Sequence, residues 1–118
     1  MTHLHDRHCR RYEGYDPALD VDQARTLLKE TPEWVLGSDG LEISRLFWFE
    51  GYDKTLAFVN AVAGIAIQED HHPEMVFSYD RCRVRWATTA VAALTENDFI
   101  CAAKINRMLG EMPCEGGG

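Results

Sequence analysis

The densest group of chemically useful side chains is the run of residues 69–74, which reads Glu-Asp-His-His-Pro-Glu. Histidine has an ordinary pKa of about 6.5, so it accepts and donates protons near neutral pH. Two adjacent histidines cannot share one face of a helix or of a strand. They fit a junction between two elements, where His71 and His72 can serve as a general acid and a general base.

A purely structural interpretation of the same residues is also open. Histidine near the C-terminus of a helix interacts favourably with the helix dipole, so the pair His71-His72 could simply end a helix before Pro73. Further along the chain, Asp98 could do no more than cap a helix. Tyr79 could do no more than pack on a sheet. A catalytic interpretation therefore needs a wider pattern.

The N-terminal end of the chain holds a second group of possible metal ligands, His3, His5, His8 and Cys9. Histidine and cysteine are common zinc ligands, but this spacing fits no closed zinc site. A terminal tail is the better interpretation. We therefore predict no metal site and no bound cofactor.

Composition and charge argue against several classes of function. The formal net charge is −7, whereas nucleic-acid-binding proteins carry a basic face. No apolar run approaches the roughly 18 residues of a membrane span, and residues 1–11 lack the apolar core of a secretory signal. A cytoplasmic location follows. There, the four cysteines, none with CxxC spacing, are expected to be reduced, with Cys82 and Cys101 in the core.

Three segments have the apolar spacing of amphipathic helices. The first covers residues 21–30 and is capped by Asp20. The second is capped by Asp53 and runs to about residue 69, with an apolar stripe wide enough to be covered on more than one side. The third opens at residues 95–98, which approximate a capping box with aspartate in the fourth position.

Two pairs of short segments have the features of β-hairpins. Residues 34–36 and 41–49 are joined by a Gly-rich turn, and residues 75–79 and 82–88 by a two-residue turn. The resulting order is α-β-β-α-β-β-α. It predicts an α+β fold in which a four-stranded antiparallel sheet carries three helices on one face.

The length of 118 residues corresponds to one domain. We place that domain at residues 16–110. Residues 1–15 are predicted to be a loose tail that settles against it, and residues 111–118 a flexible C-terminal tail.

Together these features resemble the pterin-4a-carbinolamine dehydratase family, over roughly residues 9–109. The family motif contains a His-His-Pro run, an aromatic residue after a short gap and a final aspartate. His71, His72, Pro73, Tyr79 and Asp98 match it in identity and spacing.

Two positions depart from the family motif. Ile67 stands where the motif has a charged residue, and Thr89 stands where it has histidine or tryptophan. The resemblance implies loss of water from a 4a-hydroxytetrahydropterin, in which the leaving hydroxide gains a proton and N5 loses one. Histidines around the pterin are implied to move both protons. Thr89 does not titrate near neutral pH, so its presence implies weakened chemistry.

A retained fold with missing active-site residues resembles a branch of the family that is associated with α-carboxysomes and assists RuBisCO assembly. The main prediction is therefore a RuBisCO assembly factor with a degenerate pterin site, associated with the carboxysome and bound to RuBisCO subunits. The alternative is an active dehydratase that recycles the pterin cofactor of aromatic amino-acid hydroxylases. The transcription-coactivator role of the animal branch is a third possibility.

A sheet with helices on one face leaves its other face bare, where Leu46 or Trp48 would meet water. Members of the resembled family form dimers or tetramers, so we expect at least a two-fold symmetric homodimer. Trp48, Met75, Arg83 and Arg85 are the predicted partner-binding residues, because interface cores favour tryptophan, methionine and arginine. In the alternative, Trp48 lies in the homodimer interface.

Overall fold

The structure, a computed structural model, describes residues 3–111 of the chain. Within them lie three α-helices and four β-strands, in the predicted order. The helices are α1 (Val21–Leu28), α2 (Tyr52–Glu69) and α3 (Glu96–Met108). The strands are β1 (Val35–Leu36), β2 (Ile43–Trp48), β3 (Glu74–Phe77) and β4 (Arg81–Trp86). Two short 3₁₀ helices cover Leu4–Asp6 and Thr89–Val91.

The start of α1 follows the predicted capping chemistry. The Asp20 side chain accepts a hydrogen bond from the backbone of Gln23, and the Gln23 side chain accepts one from the backbone of Asp20. The helix ends at Leu28, two residues before the predicted end. The backbone N–H and the hydroxyl of Thr31 both donate to the Leu28 carbonyl, which closes the last turn.

The start of α2 differs from the prediction. Gly51, not Asp53, is the N-cap residue, and Asp53 lies in the first turn, where a carboxylate interacts favourably with the helix dipole. Thr55 secures this turn, because its hydroxyl donates to the Gly51 carbonyl at 3.0 Å. The predicted end of the helix at Glu69 is confirmed.

The four strands form one antiparallel sheet in the order β1-β2-β4-β3. Ile43, Val84 and Trp86 are fully buried on one face, against the helices. Leu46 and Trp48, on the opposite face, are exposed. The predicted α+β fold is therefore confirmed, because alternating strand residues separate one covered face from one open face.

The second hairpin is shorter than predicted. The sequence predicts residues 79 and 88 in strands, but Tyr79 lies in the turn between β3 and β4. Thr88 follows β4 and pairs with Ala93 in an isolated β-bridge.

Specific contacts hold the N-terminal segment, residues 3–15, to the domain, so it is less loose than its polar composition suggested. Leu4 is buried in the core, and the His5 carbonyl accepts a hydrogen bond from Lys104 in α3 at 2.9 Å. The predicted C-terminal tail lies, apart from Glu111, outside the described residues. No helix within the described range combines the length and apolar character needed to cross a membrane.

Candidate functional site

The end of α2 sets the position of the first histidine. Asp70 takes the left-handed conformation, with φ of 51°. The backbone N–H of His71 then donates to the carbonyl of Ala66 at 3.2 Å, which gives a carbonyl near the end of the helix a hydrogen-bond partner. The chain therefore leaves the axis of α2 at Asp70, and the His71 side chain contacts Asp98 in α3.

His71 is bound by a buried carboxylate. Its Nε2 atom lies 2.6 Å from Oδ1 of Asp98, and the Asp98 side chain is completely buried. The second oxygen, Oδ2, accepts hydrogen bonds from the Thr88 hydroxyl at 2.8 Å and from the Thr95 backbone at 3.0 Å. Asp98 therefore caps α3 with one oxygen and binds His71 with the other.

An aromatic contact fixes the plane of the same imidazole. The His71 ring stacks on Trp86, with 5.3 Å between centroids and 9° between planes. Trp86 is fully buried at the end of β4, so it cannot turn away. Strand β4, the start of α3 and the end of α2 thus define one orientation of His71.

This arrangement prepares His71 for proton transfer. A carboxylate accepting from Nε2–H selects one tautomer, as the aspartate does in hydrolase triads. Nδ1 is then the nitrogen that can exchange a proton with a bound molecule. The neighbouring His72 has different surroundings: its side chain is 69 % exposed and lies 4.0 Å from a carboxylate oxygen of Asp70.

Both histidines line a cavity of about 420 Å³, a volume within the usual range for small-molecule sites. Its walls come from residues 9–12, residues 69–72, residues 87–90 and Asn97. A second cavity of about 510 Å³ lies beyond His72. His72, Ala87, Thr88 and Thr89 line both cavities, so they form the boundary between them.

Not all residues of the predicted motif come together. Pro73 lines the second cavity, and Thr89 is exposed on the boundary. Tyr79 lies instead at the start of α2, where its carbonyl accepts from the Thr55 hydroxyl at 3.0 Å. Because α2 has 18 residues, about 27 Å of helix separate its two ends. Tyr79 is therefore remote from the two histidines within one chain.

The N-terminal segment contributes to the cavity, which the sequence did not indicate. Cys9, Arg10 and Tyr12 line it, and the Arg10 guanidinium stacks 3.7 Å above the centre of the Tyr12 ring. The segment has no apolar periodicity, so only the tertiary structure reveals its location. The stacking of Trp86 on His71 is likewise visible only in the tertiary structure.

Glu69 anchors that segment from the last turn of α2. It is buried, and its two carboxylate oxygens bind the Cys9 backbone at 2.8 Å and Nδ1 of His8 at 2.9 Å. Burial by itself raises the pKa of Glu69, but these hydrogen bonds and the charge of Lys104 outweigh it and lower the pKa. A charged Glu69 thus attaches residues 8 and 9 to the domain.

The four N-terminal candidates for metal ligands, His3, His5, His8 and Cys9, do not gather around one point. The rings of His3 and His5 stack 5.1 Å apart, whereas His8 binds Glu69 and Cys9 contacts Cys101. Within residues 3–111 no group of three or more His, Cys, Asp or Glu side chains is arranged to hold a metal ion.

The predicted partner-binding residues divide between the two faces of the sheet. Trp48, Arg83 and Arg85 lie on the open face, whereas Met75 is half-buried on the core face and packs against the core. Met75 therefore cannot join the other three in one surface. Both arginines form ion pairs with Glu42 of the same chain, so they are already partly neutralised.

Comparisons with known proteins point to one family. The family model for pterin 4 alpha carbinolamine dehydratase matches residues 17–108. A protein of Nitrosomonas eutropha is 49 % identical over 107 residues, covering 90 % of this chain and 93 % of its own length. One of Xanthomonas campestris is 45 % identical over 108 residues, covering 92 % of each chain. Both are provisionally named pterin-4-alpha-carbinolamine dehydratase.

The chain is also similar to solved structures, and two of them bear on its function. A crystal structure described as a transcriptional coactivator/pterin dehydratase from Brucella melitensis has a TM-score of 0.74 and 28 % identity, covering 78 % of this chain and 98 % of its own. A pterin dehydratase-like protein described as a RuBisCO assembly factor in the α-carboxysome has a TM-score of 0.58. It is 20 % identical, covering 67 % of this chain and 92 % of its own.

The predicted role as a degenerate RuBisCO assembly factor is wrong by these findings. Similarity at 20 % identity shows a shared fold alone. The relatives at 45–49 % identity carry the dehydratase name instead, which favours the alternative that the sequence left open.

Proposed function

Because the chain belongs to the pterin 4 alpha carbinolamine dehydratase family, we propose that it catalyses loss of water from a 4a-hydroxytetrahydropterin. The observation that carries the proposal is the His71–Asp98 pair, 2.6 Å apart, at the wall of a cavity that also holds His72. The dehydration requires removal of a proton from N5 and protonation of the hydroxyl that leaves C4a. Two histidines at one cavity supply both proton transfers.

The two environments suggest a division of roles. His71 donates Nε2–H to Asp98, so its Nδ1 lone pair is the base that takes the N5 proton. His72 is largely exposed, so solvent can reprotonate it after each turnover. It therefore suits the role of the acid that protonates the leaving hydroxyl. Water then forms from that hydroxyl, and a double bond forms between N5 and C4a.

Thr89 occupies the position of a motif histidine without supplying a third imidazole. Its side chain lies on the boundary between the two cavities, where a hydroxyl can hydrogen-bond a substrate or a water molecule. In the proposed chemistry, His71 and His72 therefore transfer the protons, and Thr89 orients the substrate or a water molecule.

The test is a dehydration assay on a 4a-hydroxytetrahydropterin generated in situ. We expect the chain to accelerate dehydration, and His71→Ala and His72→Ala each to lower kcat by about 10²–10⁴-fold. Gln68→Ala, exposed on α2 and outside both cavities, is the control. A rate equal to the uncatalysed reaction, unchanged by His71→Ala, would exclude the proposal.

We also propose that the protein self-associates through the open face of the sheet. Trp48 is 61 % exposed there, and Leu46, Val35 and Val76 on the same face are exposed as well. Large contiguous apolar patches are unusual on monomers. Two copies related by two-fold symmetry would cover each other's patch.

A further inference from the structure

Two thiols meet beside the cavity. Sγ of Cys9 lies 3.5 Å from Sγ of Cys101, although 92 residues separate them in sequence. Cys101 is fully buried in α3, whereas Cys9 is partly exposed and lines the cavity. One thiol can therefore be reached from the cavity and the other is held behind it.

The backbone around Cys9 is fixed on both sides. Its own N–H donates to the buried Glu69 at 2.8 Å. Next to it, the N–H of Arg10 donates to Oδ1 of Asn97 at 3.0 Å, and Nδ2 of Asn97 donates back to the Arg10 carbonyl at 2.6 Å. Asn97 lies in the same helix as Cys101, one turn earlier. These hydrogen bonds hold the backbone of Cys9 next to α3 and so keep the two sulfur atoms close together.

We propose that Cys9 and Cys101 form an oxidisable dithiol that a peroxide converts into a disulfide. The Cys9 thiolate attacks a peroxide oxygen, which leaves Cys9 as a sulfenic acid and releases an alcohol or water. The Cys101 sulfur then attacks the sulfenic sulfur, forming the S–S bond while the hydroxyl leaves as water. Two electrons pass from the thiols to the peroxide.

The order of the two steps follows from the surroundings of each thiol. The hydrogen bond with Cys9, together with burial, raises the pKa of Cys101, so Cys101 is a poor first nucleophile. Closing the bond requires the sulfur atoms to approach from 3.5 Å to about 2.05 Å. Burial raises the pKa of Cys82 to about 11, which keeps this core thiol out of the reaction.

Oxidation would join the N-terminal segment covalently to α3. Because Cys9 and Arg10 form one wall of the cavity, the disulfide would fix that wall and remove a thiol from it. A dithiol reductant would restore the original state by thiol–disulfide exchange.

The experiment uses the full chain carrying Cys114→Ser. This change prevents a competing disulfide through Cys114, which lies outside the described residues. Treatment with hydrogen peroxide, blocking of free thiols and non-reducing peptide mapping should show one peptide pair linked through Cys9 and Cys101. The intact mass should fall by two hydrogen atoms and return after reduction. The oxidised protein should also melt several degrees higher, because the link closes a long loop.

Variants distinguish this dithiol from general oxidation. Cys101→Ala should stop at a sulfenic acid on Cys9, trapped by a dimedone probe, and Cys9→Ser should leave Cys101 unreactive. Cys82→Ala should form the disulfide at the parental rate. Absence of the linked peptide in the parent under conditions that oxidise Cys9, or a link between two chains, would overturn the proposal.

Discussion

At the scale of single residues, Asp98 shows why capping and catalytic interpretations need not compete. A carboxylate has two oxygens and can accept several hydrogen bonds. Oδ2 closes the first turn of α3 while Oδ1 holds His71. Because Asp98 acts through His71, it is a positioning residue in the proposed reaction.

The first prediction concerns Asp98→Asn. The amide cannot enforce the same tautomer of His71, so we expect kcat to fall by about 10²-fold or more with little change in KM. Steady-state kinetics across pH separate this from a structural role, because a lost cap alone lowers the melting temperature and not kcat. Asp53→Asn, the same change in the first turn of α2, is the matched control. Parental kcat in Asp98→Asn would contradict the assignment.

The second prediction concerns Thr89→His. An imidazole on the boundary of the two cavities would add a proton donor next to His72, so we expect kcat to rise by up to about tenfold. Thr89→Ser keeps the hydroxyl and should leave kcat unchanged. The same dehydration assay measures both variants. A Thr89→His protein no faster than the parent would show that two histidines already saturate the proton transfers.

At the scale of elements, α2 decides which parts of the motif can cooperate. Its C-terminal end presents His71 to α3, and its N-terminal end holds the turn that contains Tyr79. The last turn also carries Glu69, whose bonds attach the N-terminal segment. The cavity wall therefore depends on one carboxylate at the end of a helix.

The third prediction concerns Glu69→Gln. The folded-state pKa of Glu69 lies below the ordinary glutamate value of 4.5. The charged form therefore stabilises the fold above that value, and this stabilisation disappears as pH falls through the folded-state pKa. We expect Glu69→Gln to lower the free energy of unfolding by about 1–3 kcal/mol at neutral pH. The difference from the parent should shrink on acidification.

Urea unfolding at a series of pH values measures this difference. Glu50→Gln, at an exposed position, is the control and should follow the parent throughout. A Glu69→Gln deficit that stays constant down to acidic pH would show that lost packing, and not lost charge, is responsible.

At the scale of the whole molecule, the sheet has one face covered by helices and one face open to water. The open face combines exposed apolar side chains with Arg83 and Arg85, both paired to Glu42. Arg81 lies 5.0 Å above the Trp48 ring, which leaves the other face of the indole for a partner. Such a surface fits a second copy of the chain better than a strongly acidic partner.

The fourth prediction concerns Trp48→Glu. A charge in place of Trp48 on the apolar open face would be desolvated by a second copy, so we expect the mass in solution to fall to that of a monomer. Light scattering at micromolar concentration measures it. Tyr15→Glu, at a still more exposed aromatic residue outside the sheet, should keep the parental mass. If Ile67→Glu dissociates the protein and Trp48→Glu does not, the interface lies on α2 instead.

The sequence by itself determined the element order and the fold class, because periodicity and capping are local properties, and its resemblance to a family motif pointed to His71, His72 and Asp98. Local sequence patterns do not show in which direction the chain leaves α2. They also do not show that Glu69 forms hydrogen bonds with residues 8 and 9. The structure therefore had to show that Tyr79 lies far from the histidines and that Cys9 meets Cys101. These outcomes depend on contacts between residues tens of positions apart, which only packing of the complete chain decides.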